Sequence, residues 1–250
     1  MTKCVLTDAV GSCVPRDPTN IPALGTIPAL GAAPFELSRN GVERNPALVR
    51  LVLRSLARNI TTLTTTQTLL ADVRNHIPST SVKTLDSYLN ALRRLFVVED
   101  EPAWQPSVRS KTAIRTSHKR QFVDPSIATA VLGIKPDRLM KDFNLFGFLF
   151  ESLCVRDLRV YAQANDGEVF HYRDASGLEV DQVVVLRDGR WGAVEVKLGG
   201  GQIEDAARNL LTFRKREIRG PRAGDPVCFI TLSNRIRFFG SCGVAVFGGL

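Results

Sequence analysis

The sequence contains no Gly-Lys dipeptide and so no G-x-x-x-x-G-K-[ST] motif, which removes the backbone cradle and the lysine that hold ATP phosphates in a P-loop. Cysteine is scarce and unpatterned. Cys4, Cys13, Cys154, Cys228 and Cys242 are odd in number, far apart and without a C-x-x-C pair, so neither a disulfide framework nor a zinc knuckle is indicated, and a reducing cytoplasm fits. No uncharged apolar run approaches the ~18 residues that span a bilayer, and the N-terminus lacks a basic region followed by an apolar core. The expectation is a soluble, cytoplasmic chain with no membrane partner. Acidic residues are in deficit, 25 against 33 basic ones, and the net charge of +8 favours a polyanionic partner such as nucleic acid, although a merely basic protein has the same balance. The 250 residues suffice for one large or two modest domains, and 44% hydrophobic content is that of an ordinary globular protein.

The most informative stretch is 177–197, GLEVDQVVVLRDGRWGAVEVK. Two apolar runs flank the turn signal Asp188-Gly189, which reads as a β-hairpin. Asp181, Glu195 and Lys197 interrupt it, and a carboxylate in an apolar strand costs free energy unless it is paired, hydrogen-bonded or bound to a metal. Strand alternation places Glu195 and Lys197 on one face, opposite Val194 and Val196. Asp181 depends on the turn. A two-residue Asp188-Gly189 turn sets it opposite Val196, on the wrong face. A three-residue Arg187-Asp188-Gly189 loop, with Gly189 left-handed and a G1 bulge, sets it opposite Glu195.

Elsewhere, prolines at 15, 18, 22, 28 and 34 and a repeated IPALG make 1–40 a tail or linker. Asn45 caps and Pro46 starts a first helix, Gln67–Asn75 suggests a second, and Ser79 or Thr80 caps a third with Val82, Leu85, Leu89, Leu92 and Phe96 on one face. With the extended 95–98 that follows, this is the order of a winged helix. Lys83, Ser87, Asn90, Arg93 and Arg94 then lie on the exposed side of a recognition helix; the alternative is a packing module with a solvated face. The stretch 104–124 reads as irregular and basic, with Arg109, Lys111, Arg115, Lys119 and Arg120 able to follow a phosphate backbone or simply to sit in a solvated loop. A long, largely buried helix is predicted over Asp142–Tyr161, carrying Glu151 in its apolar part, where a neighbouring arginine or backbone group could equally satisfy it. Strands are predicted at Val169–Tyr172, Val227–Leu232 and Val244–Phe247, and an amphipathic helix at Ile203–Glu217. Gly199–Gly201 form its entry, either a plain turn or a phosphate cradle, and Gln202 is a further helper candidate.

Glu151 on a helix, Asp181 on a strand and Glu195-Val196-Lys197 on the next together resemble the PD-(D/E)XK nuclease-like fold. The stretches LARN (56–59), YLNALRRLFVVED (88–100), KRQFVDPSIATAVLG (119–133), FGFLFESLCVRDLRVY (146–161), HYRDASGLEVDQVV (171–184) and RWGAVEVKLG (190–199) are similar to the C-terminal part of a bacterial and archaeal family of AAA-type ATPases. In that family a winged-helix region precedes a nuclease-like domain of unknown function. The resemblance implies an α/β (α+β) chain: a tail at 1–40, a winged-helix-like domain at 41–135, and at 136–250 a PD-(D/E)XK nuclease-like domain with a central mixed sheet flanked by helices. It implies that Asp181, Glu195 and Glu151 bind Mg²⁺ and that Asp181, Glu195 and Lys197 are catalytic. The family's upstream ATPase domain has no counterpart here, so no ATP binding is expected, and a separate ATPase is a candidate protein partner. Two functions are carried forward: a metal-dependent nuclease, and a non-catalytic module binding DNA or a regulatory partner. A decayed fragment is a third, which the retained site residues disfavour.

Overall fold

A computed structural model describes residues 45–105, 118–217, 227–231 and 246–247. The expected tail at 1–40 and the basic residues Arg109, Lys111 and Arg115 lie outside the described residues. The chain is a mixed α/β (α+β) protein, in which a helical part with a two-stranded hairpin is followed by a five-stranded sheet between helices.

Helices α1 (Pro46–Arg58), α2 (Thr66–Arg74) and α3 (Val82–Arg94) come first. As the sequence predicts, Asn45 caps α1, its Oδ1 accepting the Ala47 N–H at 2.9 Å, and Pro46 occupies the first turn. The cap of α3 is Ser81 rather than Ser79 or Thr80, because the Thr80 hydroxyl is spent donating to Ile77 O at 2.9 Å. Leu48, Val52 and Leu56 of α1 pack with Leu69 and Val73 of α2 and Leu85, Leu89 and Leu92 of α3. Two residues expected on that apolar face are not in it. Val82 is exposed at the first turn, and Phe96, beyond the helix end with φ +53°, is 75% exposed.

Strand β1 (Val98–Glu101) pairs antiparallel with β2 (Lys119–Phe122), Val98 opposite Phe122 and Glu101 opposite Lys119. The expected irregular run is therefore ordered at its end. KRQF is too short and too polar to announce a strand, yet Gln121 and Phe122 are buried. Helices α4 (Pro125–Leu132) and α5 (Pro136–Leu139) lead to α6 (Phe143–Ala164), capped by Asp142. This helix is one-faced rather than largely buried. Leu149 joins the first core and Cys154, Leu158 and Ala162 a later one, while Phe143, Phe148, Val160 and Tyr161 are exposed.

The sheet runs β3 (Gly167–Arg173), β4 (Glu179–Leu186), β5 (Trp191–Lys197), β6 (Val227–Thr231) and β7 (Val246–Phe247), antiparallel across the first three and parallel across the last three. The parallel step from β5 to β6 needs a crossover, supplied by the 3₁₀ turn Gly200–Gln202 and helix α7 (Ile203–Glu217). On one face Ile203, Ala206, Leu210 and Phe213 of α7 cover Tyr172, Val180, Val183 and Ala193; on the other, α6 covers Val169, Val194 and Val196.

Candidate functional site

The hairpin turn resolves the position of Asp181. Leu186 N–H donates to Arg190 O at 2.8 Å, Gly189 N–H donates to Leu186 O at 2.9 Å, and Gly189 has φ +86°. Arg187, Asp188 and Gly189 thus form the three-residue loop, and the ladder runs Val185 to Trp191 through Gln182 to Val194, which brings Asp181 next in line to Glu195. A second irregularity acts on the other side of β4. Phe170 pairs with Val183 but Tyr172 with Val180, so Asp181 and Gln182 together oppose His171 in a bulge. Val180 and Val183, three apart, consequently share the α7-side core, and Asp181 is turned toward the strand end.

There its Oδ2 accepts the Val196 N–H at 2.8 Å and the Lys197 ammonium at 3.0 Å. The same ammonium lies 2.6 Å from Glu195 Oε2. Glu195 is buried, and its Oε1 accepts from Asn209 Nδ2 of α7 at 2.6 Å; that amide also donates to Glu179 O at 2.6 Å. Burial first, and then the charge of Asp181, push the Glu195 carboxyl up to about 7, against the pull of Lys197. Lys197 is itself held charged, well above the usual lysine range, because its two carboxylate neighbours outweigh its desolvation.

Glu151 reaches the same cleft from α6. Its Oε1 accepts from Lys119 Nζ of β2 at 2.9 Å, and both side chains are largely buried, at 15% and 12% exposed. Burial, with the charge of Asp181 adding to it, raises the Glu151 carboxyl to about 7 despite the lysine. Glu151, Asp181, Lys119 and Lys197 all line a cleft of about 500 Å³, whose wall also includes Thr61–Leu63, Phe143, Phe148 and Gln202. Behind it a buried polar group continues inward: Gln121 Nε2 donates to Glu101 Oε2 at 2.8 Å, and burial raises the Glu101 carboxyl.

The structure therefore gathers Asp181, Glu195 and Lys197 in direct contact and sets Glu151 beside them. The basic residues read as a nucleic-acid face divide. Lys83 and Arg94 are exposed on α3, whereas Arg93 is tied to Asp100 at 2.8 Å and to Asn90 at 3.0 Å, Arg120 bonds Thr64 O and Thr66, and Lys119 faces Glu151. Sequence reasoning missed Asn209 and Glu101 altogether and read Lys119 as part of a basic run, on a phosphate track or in a solvated loop, rather than in the site. Nothing local marks Asn209, a polar residue within an amphipathic helix, as a partner of Glu195.

Mg²⁺ takes hard oxygen ligands, and the carboxylates have that chemistry. As placed, each is engaged by a lysine or an N–H, and among the described residues no three His, Cys, Asp or Glu side chains are grouped so as to hold a metal ion. The arrangement does not fit a formed metal centre.

Two family models match the chain. One, a domain of unknown function (DUF8612), covers residues 36–138, and the other, a domain of unknown function (DUF4143), covers 146–239. Comparison with curated proteins and with solved structures gives no match. Lys119 lies in the first matched stretch, and Glu151, Asp181, Glu195, Lys197 and Asn209 in the second. Among the described residues no helix is long and apolar enough to cross a membrane.

Proposed function

We propose that the cleft is a PD-(D/E)XK nuclease-like site acting on the phosphodiesters of nucleic acid, fed by a winged-helix-like region formed by α1–α3 and the β1–β2 hairpin. The observation that carries this reading is the single ammonium of Lys197, which lines the cleft and is held by both Asp181 and Glu195. A lysine fixed in this way is placed to meet a non-bridging phosphate oxygen and offset the negative charge that develops on attack. Glu151, lining the cleft with a carboxyl near 7, has the proton affinity of a general base working at neutral pH. A divalent cation would supply Lewis-acid activation of phosphate and water, but no step is drawn through it, since the carboxylates as placed do not form its site.

The decisive measurement is cleavage of single- and double-stranded DNA and RNA in Mg²⁺ or Mn²⁺. Wild type should cleave, and Lys197→Ala and Asp181→Asn should each lose about 100-fold or more. Equal background in all three proteins overturns the catalytic reading.

A non-catalytic nucleic-acid-binding module is the second reading, favoured by the satisfaction of every site carboxylate within the chain. It requires salt-dependent duplex binding, weakened by replacing Lys83 and Arg94, without cleavage. No ATP is needed in either case; an ATPase would act as a separate partner.

A further inference from the structure

We propose that the cleft takes an unpaired strand: Phe143 and Phe148 of α6 are stacking platforms for bases beside the phosphate that Lys197 meets, so the substrate class is single-stranded nucleic acid rather than duplex. Both rings line the cleft and both are exposed, Phe143 by 65% and Phe148 by 39%. Single exposed apolar residues are ordinary, but two phenylalanines set among the lysines and carboxylates of one cleft are a feature to be explained. Among the described residues neither ring meets another aromatic ring; Trp104, Tyr172, Trp191 and Phe213 group instead on the α7 side of the sheet. Phe143, Gly147 and Glu151 follow one another at four-residue intervals and so share one stripe of α6, with Phe148 beside Gly147. At a rise of about 1.5 Å per residue, Phe143 lies about 12 Å along the axis from Glu151 and Phe148 about 4.5 Å. Gly147 places no side chain between them, in a helix interior where glycine costs stability.

In a duplex both faces of each base are covered by the neighbouring pairs, and only an unpaired base offers a face to a protein ring. The cleft, at about 500 Å³, has the scale of a small-molecule pocket, which suits an unpaired nucleotide and not a stack of base pairs. Its charges do not repel a phosphate strand. Each lining carboxylate is matched by a base: Glu151 by Lys119 at 2.9 Å, Asp181 by Lys197 at 3.0 Å and Glu179 by Arg173 at 3.0 Å. The whole chain carries a net charge of +8. This inference rests on the proposed reading of the cleft as a nucleic-acid site, but its test measures binding without cleavage. A wild type that stacks a single strand and never cuts it sinks the catalytic reading alone; cleavage with binding insensitive to the rings sinks this inference alone.

Fluorescence anisotropy is read for the full chain as wild type, Phe143→Ala, Phe148→Ala, Phe143→Leu and Phe143→Trp, with labelled oligothymidylate, oligouridylate and a mixed-sequence duplex, all in EDTA at one salt concentration. Wild type should bind at least one of the single strands about tenfold or more tightly than the duplex. Each alanine variant should lose about 5- to 150-fold in single-strand affinity, the worth of one base stacked on one ring, and leave duplex binding unchanged. Phe143→Trp should keep the affinity, whereas Phe143→Leu, apolar but without a π-face, should fall as the alanine variant does. Duplex bound as tightly as both single strands overturns the proposal, as does single-strand binding that ignores the alanine substitutions. Leucine serving as well as phenylalanine would make the contact merely apolar and overturns stacking. No binding of either single strand also overturns it and leaves the rings to a protein partner. An alanine variant that loses the helical circular-dichroism signal shows that its ring serves the fold, which again overturns the proposal.

Discussion

Glu195 ionises in a place where ionisation is expensive, and stability must record it. An ordinary glutamate titrates near 4.5, whereas burial and the neighbouring Asp181 charge raise Glu195 to about 7 in the fold. Below the lower value both folded and unfolded states are protonated and the contribution to stability is complete. As pH rises from about 4.5 through 7 the unfolded chain releases its proton first, so the folded state loses ground. Glu151, raised to about 7 in the same way, adds to the slope in the same direction. The expected outcome is a melting temperature that falls between pH 5 and pH 8, and that falls less steeply in Glu195→Gln, whose side chain cannot ionise. Calorimetry across that range checks it, and parallel wild-type and variant profiles would show that Glu195 does not titrate in this window.

At the scale of the element, the β4–β5 hairpin depends on one backbone conformation. Gly189 at φ +86° closes the three-residue loop, and an L-residue with a Cβ in the left-handed region costs roughly 1–2 kcal/mol. Gly189→Val should lower the unfolding free energy by about that amount, read as a lower urea midpoint at an unchanged m-value, while Gly189→Asn, which tolerates the conformation, should lose less. Equal midpoints for all three would mean that the loop does not require Gly189 to stay left-handed. The sequence limited this hairpin to two registers and named the consequence of each, because turn chemistry is local. It carried no sign of the bulge at Asp181–Gln182, which depends on how β3 pairs with β4. The Lys119–Glu151 and Asn209–Glu195 contacts were hidden for the same reason, since each joins side chains on different elements and no periodic pattern records the pairing. The long helix reads as largely buried from the number of its apolar residues, but their phase around the axis leaves Phe143, Phe148, Val160 and Tyr161 facing out.

At the scale of the whole molecule, the two stretches matched by different family models are not packed as separate bodies. Helix α6 belongs to both: Leu145 and Leu149 pack into the core built by α1–α3, and Cys154, Leu158 and Ala162 into the core beneath the sheet. A second tie runs the other way. Trp104, just after β1, docks between Trp191 and Phe213 of the sheet region with ring centroids 5.0 and 5.7 Å away. Its N–H donates to His171 O at 2.6 Å, and His171 N–H to Pro102 O at 3.0 Å, so residues 102–104 extend the open edge of β3. The cleft is lined from both regions, so a lysine from the hairpin shares it with a glutamate from α6. Both tryptophans lie in the sheet region's core, whereas Leu149 lies in the first one. Leu149→Ala should therefore cost about 2–5 kcal/mol and move the tryptophan-fluorescence transition down together with the helical circular-dichroism transition. A fluorescence transition that stays in place while the helical signal shifts would show that the two regions unfold independently. In that case the Lys119–Glu151 pair could open without global unfolding.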